Sequence, residues 1–222
     1  MKKMYLLLMV LMCFVGANSF ADKAPQWVMD LHEPHVYQNM NYRLLRPIDF
    51  DPGRQYPVIV SLHGASGTGD NNISNVRHWN SILSEEHNRR GYPCYVIAPQ
   101  SNGLWKENHF LKVQDIINTL PNVDISRRYL MGHSMGGHGA IVFAKLDPSY
   151  FAAVFASAGS NVINNPTPLK ELPIWLFHGL TDGVINPQKS INSYDNMVAE
   201  GGGHLKLTLW ERTGHGNSHM MV

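Results

Sequence analysis

Residues 127–143 read RRYLMGHSMGGHGAIVF, and inside them Gly132, His133, Ser134, Met135 and Gly136 form a Gly-x-Ser-x-Gly pattern. A serine hydroxyl is a weak nucleophile until a base takes its proton and a third group orients that base. The flanking glycines have a steric use: with no Cβ, they let neighbouring backbone pass close to a sharp turn that lifts the serine clear of the chain. The same five residues also fit a glycine-rich structural turn. Context separates the two readings. A nucleophile needs a strand before it, a helix after it, and partners at the ends of other strands.

The sequence holds 12 histidines, so position has to select the base. His215, in RTGHGNSH, follows the β-rich run HLKLTLWE (204–211) by a few residues, whereas His204 begins that run and belongs to the opposite edge of a sheet. His219, four residues beyond His215, stays open as an alternative base. Asp182, in LPIWLFHGLTDG, lies in the loop after the preceding run and is the candidate acid; Asp147 and Asp195 fall at the end of a helix and inside one. Backbone N–H groups of Met135 and of Ala65, or of Ser66 beside it, are the candidate donors for an oxyanion. His63, His133 and His178 flank strand ends and read first as packed or solvated histidines; all three, with Trp105, are also candidates for lining a substrate pocket. Trp79 and Phe110 share that second use with Trp105, although core packing is the simpler role for all three. The glycine-rich HGASGTGDNN lacks both common phosphate-loop patterns. No metal site is expected: Pro34 breaks HEPH (32–35), and His215 with His219 has no third ligand in view.

The elements that must position these groups alternate. Apolar, β-branched runs at 56–64, 94–100, 127–134, 151–159, 172–179 and 204–211 are separated by helical patterns at 76–89, 108–120, 135–146 and 187–200. Pro121, Asp147-Pro148 and Gly201–Gly203 stop three of those helices. Residues 37–50 read as an antiparallel strand at the sheet's edge, followed by a turn at Asp51-Pro52-Gly53. Near-continuous apolar strands between helices imply an α/β domain, with a mostly parallel sheet covered on both faces. In such sheets reacting groups gather at the carboxyl ends of the strands.

The chain of 222 residues is 44% hydrophobic and 16% charged, which suits one globular domain. It opens with Lys2 and Lys3, an apolar run from Met4 to Val15, then small residues, so residues 1–21 are expected to be a signal peptide cleaved after Ala21 and the protein to be exported, periplasmic or secreted. Removing them leaves 16 basic and 17 acidic residues, a net charge of −1. Such a chain has no field for gripping nucleic acid or an anionic membrane. Only Cys94 is left beyond residue 21, so no intramolecular disulfide is available there; Cys94 reads as a small apolar residue.

The order and content of four stretches resemble a known family: YRLLRPIDFDPGRQYPVIVSLHGASGTGDNN, DISRRYLMGHSMGGHGAIVFAKLDPSYFAAVFASAGS, LPIWLFHGLTDGVINPQKS and TGHG. They are similar to the α/β-hydrolases, and within them to the bacterial carboxylesterase, feruloyl-esterase and prolyl-oligopeptidase-like enzymes. The resemblance implies Ser134 as nucleophile, His215 as base, Asp182 as orienting acid, the amides of Ala65 and Met135 as oxyanion donors, and no cofactor. With only about a dozen residues between the runs ending at Gly159 and starting at Leu172, no lid domain is expected, and the open site suits soluble or polymer-attached esters. The family's usual last helix is expected to be missing after His215. Two other readings stay open, a peptidase of the prolyl-oligopeptidase type and a non-catalytic hydrolase-like binding module. The oligomeric state is not legible.

Overall fold

The computed structural model describes residues 23–217. The signal-peptide reading of residues 1–21 and the alternative base His219 lie outside these residues. Eight strands form one sheet in the order β1-β2-β4-β3-β5-β6-β7-β8. They are β1 (Glu33–Tyr37), β2 (Met40–Leu45), β3 (Tyr56–Leu62), β4 (Tyr95–Pro99), β5 (Val123–His133), β6 (Ala153–Ser157), β7 (Ile174–Gly179) and β8 (Leu205–Trp210). β1–β2 and β2–β4 pair antiparallel, and every other pair is parallel. The helices are α1 (Gln26–Leu31), α2 (Asn80–Ser84), α3 (Glu86–Gly91), α4 (Glu107–Thr119), α5 (Met135–Leu146) and α6 (Gln188–Ala199).

Period-two alternation divides the strand residues between two apolar layers. Val58, Val60, Leu62, Leu130, Val154 and Leu176 point into the layer that also holds Phe110 and Ile117 of α4, Phe143 of α5 and Met197 of α6. Ile59, Val96, Tyr129, Met131, Phe155 and Phe177 point the other way, toward Trp79 and Leu83. β3, β4 and β6 are buried along their whole length, which is why their sequences are near-continuous apolar runs.

Two expectations need correction. Residues 37–50 are not one edge strand. Gln38 and Asn39, at φ 44° and 64°, turn the chain so that β1 and β2 form a hairpin, and β1 takes the edge while β2 sits inside. That two-residue turn lacks the glycine that usually marks one, so the pattern was silent. Residues 76–89 are not one helix either. Glu85 leaves the helical region at ψ 134° and separates α2 from α3. The apolar residues read as one helical stripe serve two cores: Trp79 and Leu83 join the sheet, while Val76 packs with Val28, Met29 and Ala98. The turn at Asp51 forms as read, with the Gly53 N–H donating to Asp51 Oδ1 at 2.8 Å.

Candidate active site

β5 runs in the middle of the sheet and ends at His133; α5 begins at Met135. Ser134 is the single residue between them. Its φ of 58° and ψ of −119° lie where a side chain other than glycine sits only under constraint. The constraint is visible. The Ser134 N–H donates to Ser157 O at 2.9 Å and the His138 N–H donates to Ser134 O at 2.9 Å. α5 opens with three glycines in five residues, a poor helix former by propensity, and tertiary packing overrides that. A Cβ on Gly136 would run into the backbone carbonyl of Leu62 on β3, so only glycine lets the helix start this close to the sheet.

Asp182 and His215 arrive from further along. Asp182 sits in the loop after β7, its side chain fully buried. Beyond β8 the chain doubles back over the end of β7. The Thr181 N–H donates to Thr213 O at 3.2 Å, and that carbonyl lies where a Cβ on Gly179 would be. The fold-back delivers His215, on a short 3-10 turn, to Asp182. His215 Nδ1 is 2.7 Å from Asp182 Oδ2, and His215 Nε2 is 2.8 Å from Ser134 Oγ. A carboxylate can only accept, so Nδ1 carries the proton and Nε2 is left to accept from the Ser134 hydroxyl. Burial alone would raise the Asp182 pKa; the amides of Ile185 and Val184 and the His215 ring outweigh it and hold the carboxyl below its usual range.

The loop after β3 lies against the same serine: a Cβ on Gly64 would stand 3.9 Å from Ser134 Oγ. His63 is fully buried and its tautomer follows from its neighbours. Its Nδ1 faces Gly64 O at 2.7 Å and must donate; its Nε2 faces the Ser101 N–H at 3.0 Å and must accept. Burial lowers its pKa to about 4, so the ring is neutral. Because the C=O and N–H of a trans peptide point opposite ways, holding Gly64 O turns the Ala65 N–H away from His63. Ala65 and Met135 each stand first in a helical turn, where an N–H lacks an intrahelical partner.

The pocket candidates divide. Trp105 is buried, donates from its indole N–H to His63 O at 3.2 Å and fills the space beside Gly139, so it is a core residue, as is His63. His133 is almost buried, with its ring 4.9 Å from that of His215. It lines a cavity of about 190 Å³ together with Trp79, Ile82, Met131 and Phe155. Phe110 is core and Trp79 lines the cavity. His178, one of three histidines set aside as packing residues, is buried with Nε2 3.2 Å from Asp182 Oδ2, a neighbour that reading the chain missed. Its place four residues before Asp182, at the end of an apolar strand, was the available signal. Among the described residues no group of three or more His, Cys, Asp or Glu is arranged to hold a metal ion. His32 and His35 of HEPH part company: His32 is buried with Nδ1 on Val28 O, and His35 pairs with Glu33 on β1. No helix among the described residues is long and apolar enough to cross a membrane.

A mostly parallel sheet with a serine at a strained strand-to-helix turn, and His and Asp brought to it from later strand ends, defines an α/β-hydrolase. The profile of the Esterase family matches residues 34–200, and the chain belongs to that family. It is 28% identical over 136 residues to the bifunctional acetylxylan esterase/xylanase XynS20E of Neocallimastix patriciarum, an alignment covering 60% of this chain and 20% of that protein. The crystal structure of a thermostable esterase superposes with a TM-score of 0.80 at 28% identity, over 87% of this chain and 60% of that one. An acylaminoacyl peptidase of Pyrococcus horikoshii shares the fold at a TM-score of 0.64 and 17% identity, over 86% of this chain and 40% of that one. The chain thus spans about a fifth of the curated relative and less than two thirds of either structure's chain.

Proposed function

We propose that this chain is a serine esterase that cleaves carboxylic esters through a covalent acyl-enzyme. Ser134 Oγ attacks the ester carbonyl while His215 Nε2 takes the hydroxyl proton. Asp182 keeps the imidazole in the required tautomer and stabilises the imidazolium. The amides of Ala65 and Met135 hold the tetrahedral oxyanion. His215 then passes its proton to the leaving alcohol, and a water molecule repeats the sequence on the acyl-enzyme. One observation carries this reading: the unbroken hydrogen-bond path from Asp182 Oδ2 through His215 to Ser134 Oγ, at 2.7 and 2.8 Å.

The substrate class we assign is a small acyl ester on a soluble or polymer-attached alcohol. Support comes from the partly exposed Ser134 and from the short connection between β6 and β7, in which only the 3-10 turn Thr167–Leu169 is formed. The acetylxylan esterase relative points the same way. No cofactor enters the mechanism. With a net charge near zero, neither nucleic acid nor an anionic membrane is a partner in this reading. Export rests on the charged-then-apolar segment at residues 2–15.

Ser134→Ala tests the assignment. The variant is expected to lose p-nitrophenyl acetate hydrolysis by at least about 10³-fold and to lose fluorophosphonate labelling, with an unchanged melting profile. Labelling of the variant at the wild-type rate would remove Ser134 from the mechanism. A panel of acetyl, butyryl, feruloyl and long-chain esters beside the matching amides sets the acyl range. Preference for amides would favour the peptidase reading.

A further inference from the structure

The triad reading leaves a second histidine unused. His178, the penultimate residue of β7, is fully buried, and both ring nitrogens have partners. Nε2 stands 2.9 Å from Ile185 O and 3.2 Å from Asp182 Oδ2. Both neighbours are acceptors, since one is a backbone carbonyl and the other a carboxylate. Nε2 must therefore carry a proton, which it gives to Ile185 O with Asp182 Oδ2 close beside it. Nδ1 lies 2.7 Å from Ser190 Oγ, on α6, and in the neutral ring accepts the serine hydroxyl. Burial lowers the pKa of this ring against the opposing pull of Ile185 O and Asp182, so the neutral form is the resident one.

These contacts close a loop. The Val184 and Ile185 N–H groups donate to Asp182 Oδ1, each at 2.8 Å. His215 donates to Oδ2, and His178 Nε2 lies 3.2 Å from the same oxygen while its hydrogen bond runs to Ile185 O. Ile185 thus gives its N–H to one carboxylate oxygen and offers its carbonyl to the histidine that lies against the other. The carboxylate receives two N–H donors on Oδ1 and one on Oδ2, with His178 packed against Oδ2, which fixes its plane. That plane decides whether Oδ2 faces His215 Nδ1.

Resting on the triad reading above, we propose that His178 is a positioning residue. Its Nε2–H, bonded to Ile185 O and lying against Asp182 Oδ2, holds the acid loop so that Asp182 presents a fixed acceptor to His215, and its Nδ1 anchors this arrangement to Ser190 on α6. A residue that only fills core volume has no need of a particular tautomer, or of a donor at that one atom. Positioning needs both.

Two substitutions separate the roles. Glutamine can place an amide N–H near the Nε2 position; asparagine is too short to reach Asp182 but keeps a polar group near Ser190. His178→Asn is expected to lower kcat for p-nitrophenyl acetate about ten- to a hundredfold, with KM within about twofold, comparable to losing an outer hydrogen bond on a metal-binding histidine. It should also shift the far-downfield proton signal of His215 Nδ1–H. His178→Gln is expected to recover most of the lost kcat and to return the signal. In the wild-type protein, ¹⁵N shifts should show His178 protonated on Nε2 and bare on Nδ1, a readout that needs no variant to fold. The opposite tautomer overturns the proposal. So does wild-type kcat in His178→Asn while Ser134→Ala is inert, or an equal loss in both variants with an unmoved proton signal. If Ser134→Ala itself keeps full activity, the triad reading fails, and this proposal with it.

Discussion

The two halves of the candidate site are built differently. Ser134 caps β5, the middle strand, whose last five residues are all buried, and it is held by backbone packed on backbone. His215 follows β8, an edge strand with no fully buried residue, and is held by side-chain hydrogen bonds and one fold-back across Gly179. Sterics secure the first half. A polar network secures the second. Damage to the elbow should therefore appear as lost folding, and damage to the base side as lost catalysis in a folded protein.

The largest expected effect lies on the base side. His215→Ala should lower kcat by about 10³–10⁴-fold while its urea midpoint stays close to wild type, because the ring is partly exposed. A large drop in that midpoint would break the contrast. Next is the elbow: Gly136→Ala puts a methyl group into the Leu62 carbonyl and should cost about 3 kcal/mol or more in denaturant unfolding. Stability within about 0.5 kcal/mol of wild type would mean that the elbow is not sterically locked.

Acid sharpens the comparison. His32 and His63 are both buried with pKa lowered from 6.5 to about 4. Between those values the unfolded chain takes up protons that the folded one refuses, so stability falls as pH drops from about 6.5 to about 4, by up to roughly 3 kcal/mol for each ring. Asp182 acts in the same direction at lower pH. Its lowered folded pKa contributes stability above the usual carboxylate range, lost only as pH falls through that lowered value. Urea titrations across this window should show the loss, with a shallower slope in His32→Asn; an unchanged slope would remove His32 as a cause. The smallest effect belongs to the outer edge. Lys206 Nζ lies 3.8 Å from the Trp175 ring centroid, and Lys206→Ala should cost no more than about 1 kcal/mol in thermal unfolding and leave kcat unchanged.

Much of this was legible along the chain. The strands from Tyr56 onward and the helices ending at Thr119 and Leu146 coincide with apolar runs and proline stops, because burial on two faces demands such runs and proline ends a helix. The hairpin at Gln38-Asn39 was not legible, since its turn residues carry no glycine signal. Nor was the break at Glu85, because one helical stripe can serve two cores.

Alternation of apolar runs, a serine between strand and helix, and an acid and a histidine after later strands are local patterns, and the sequence alone determined them. The tertiary structure decided which groups meet. Asp182 reaches His215 across 33 residues, and His215 reaches Ser134 across 81. Those contacts exist because parallel strands bring their carboxyl ends to one edge of the sheet. Burial decided the rest. It put His63 and Trp105 in the core and His178 behind Asp182, and no periodicity along the chain records which neighbour a buried ring will find.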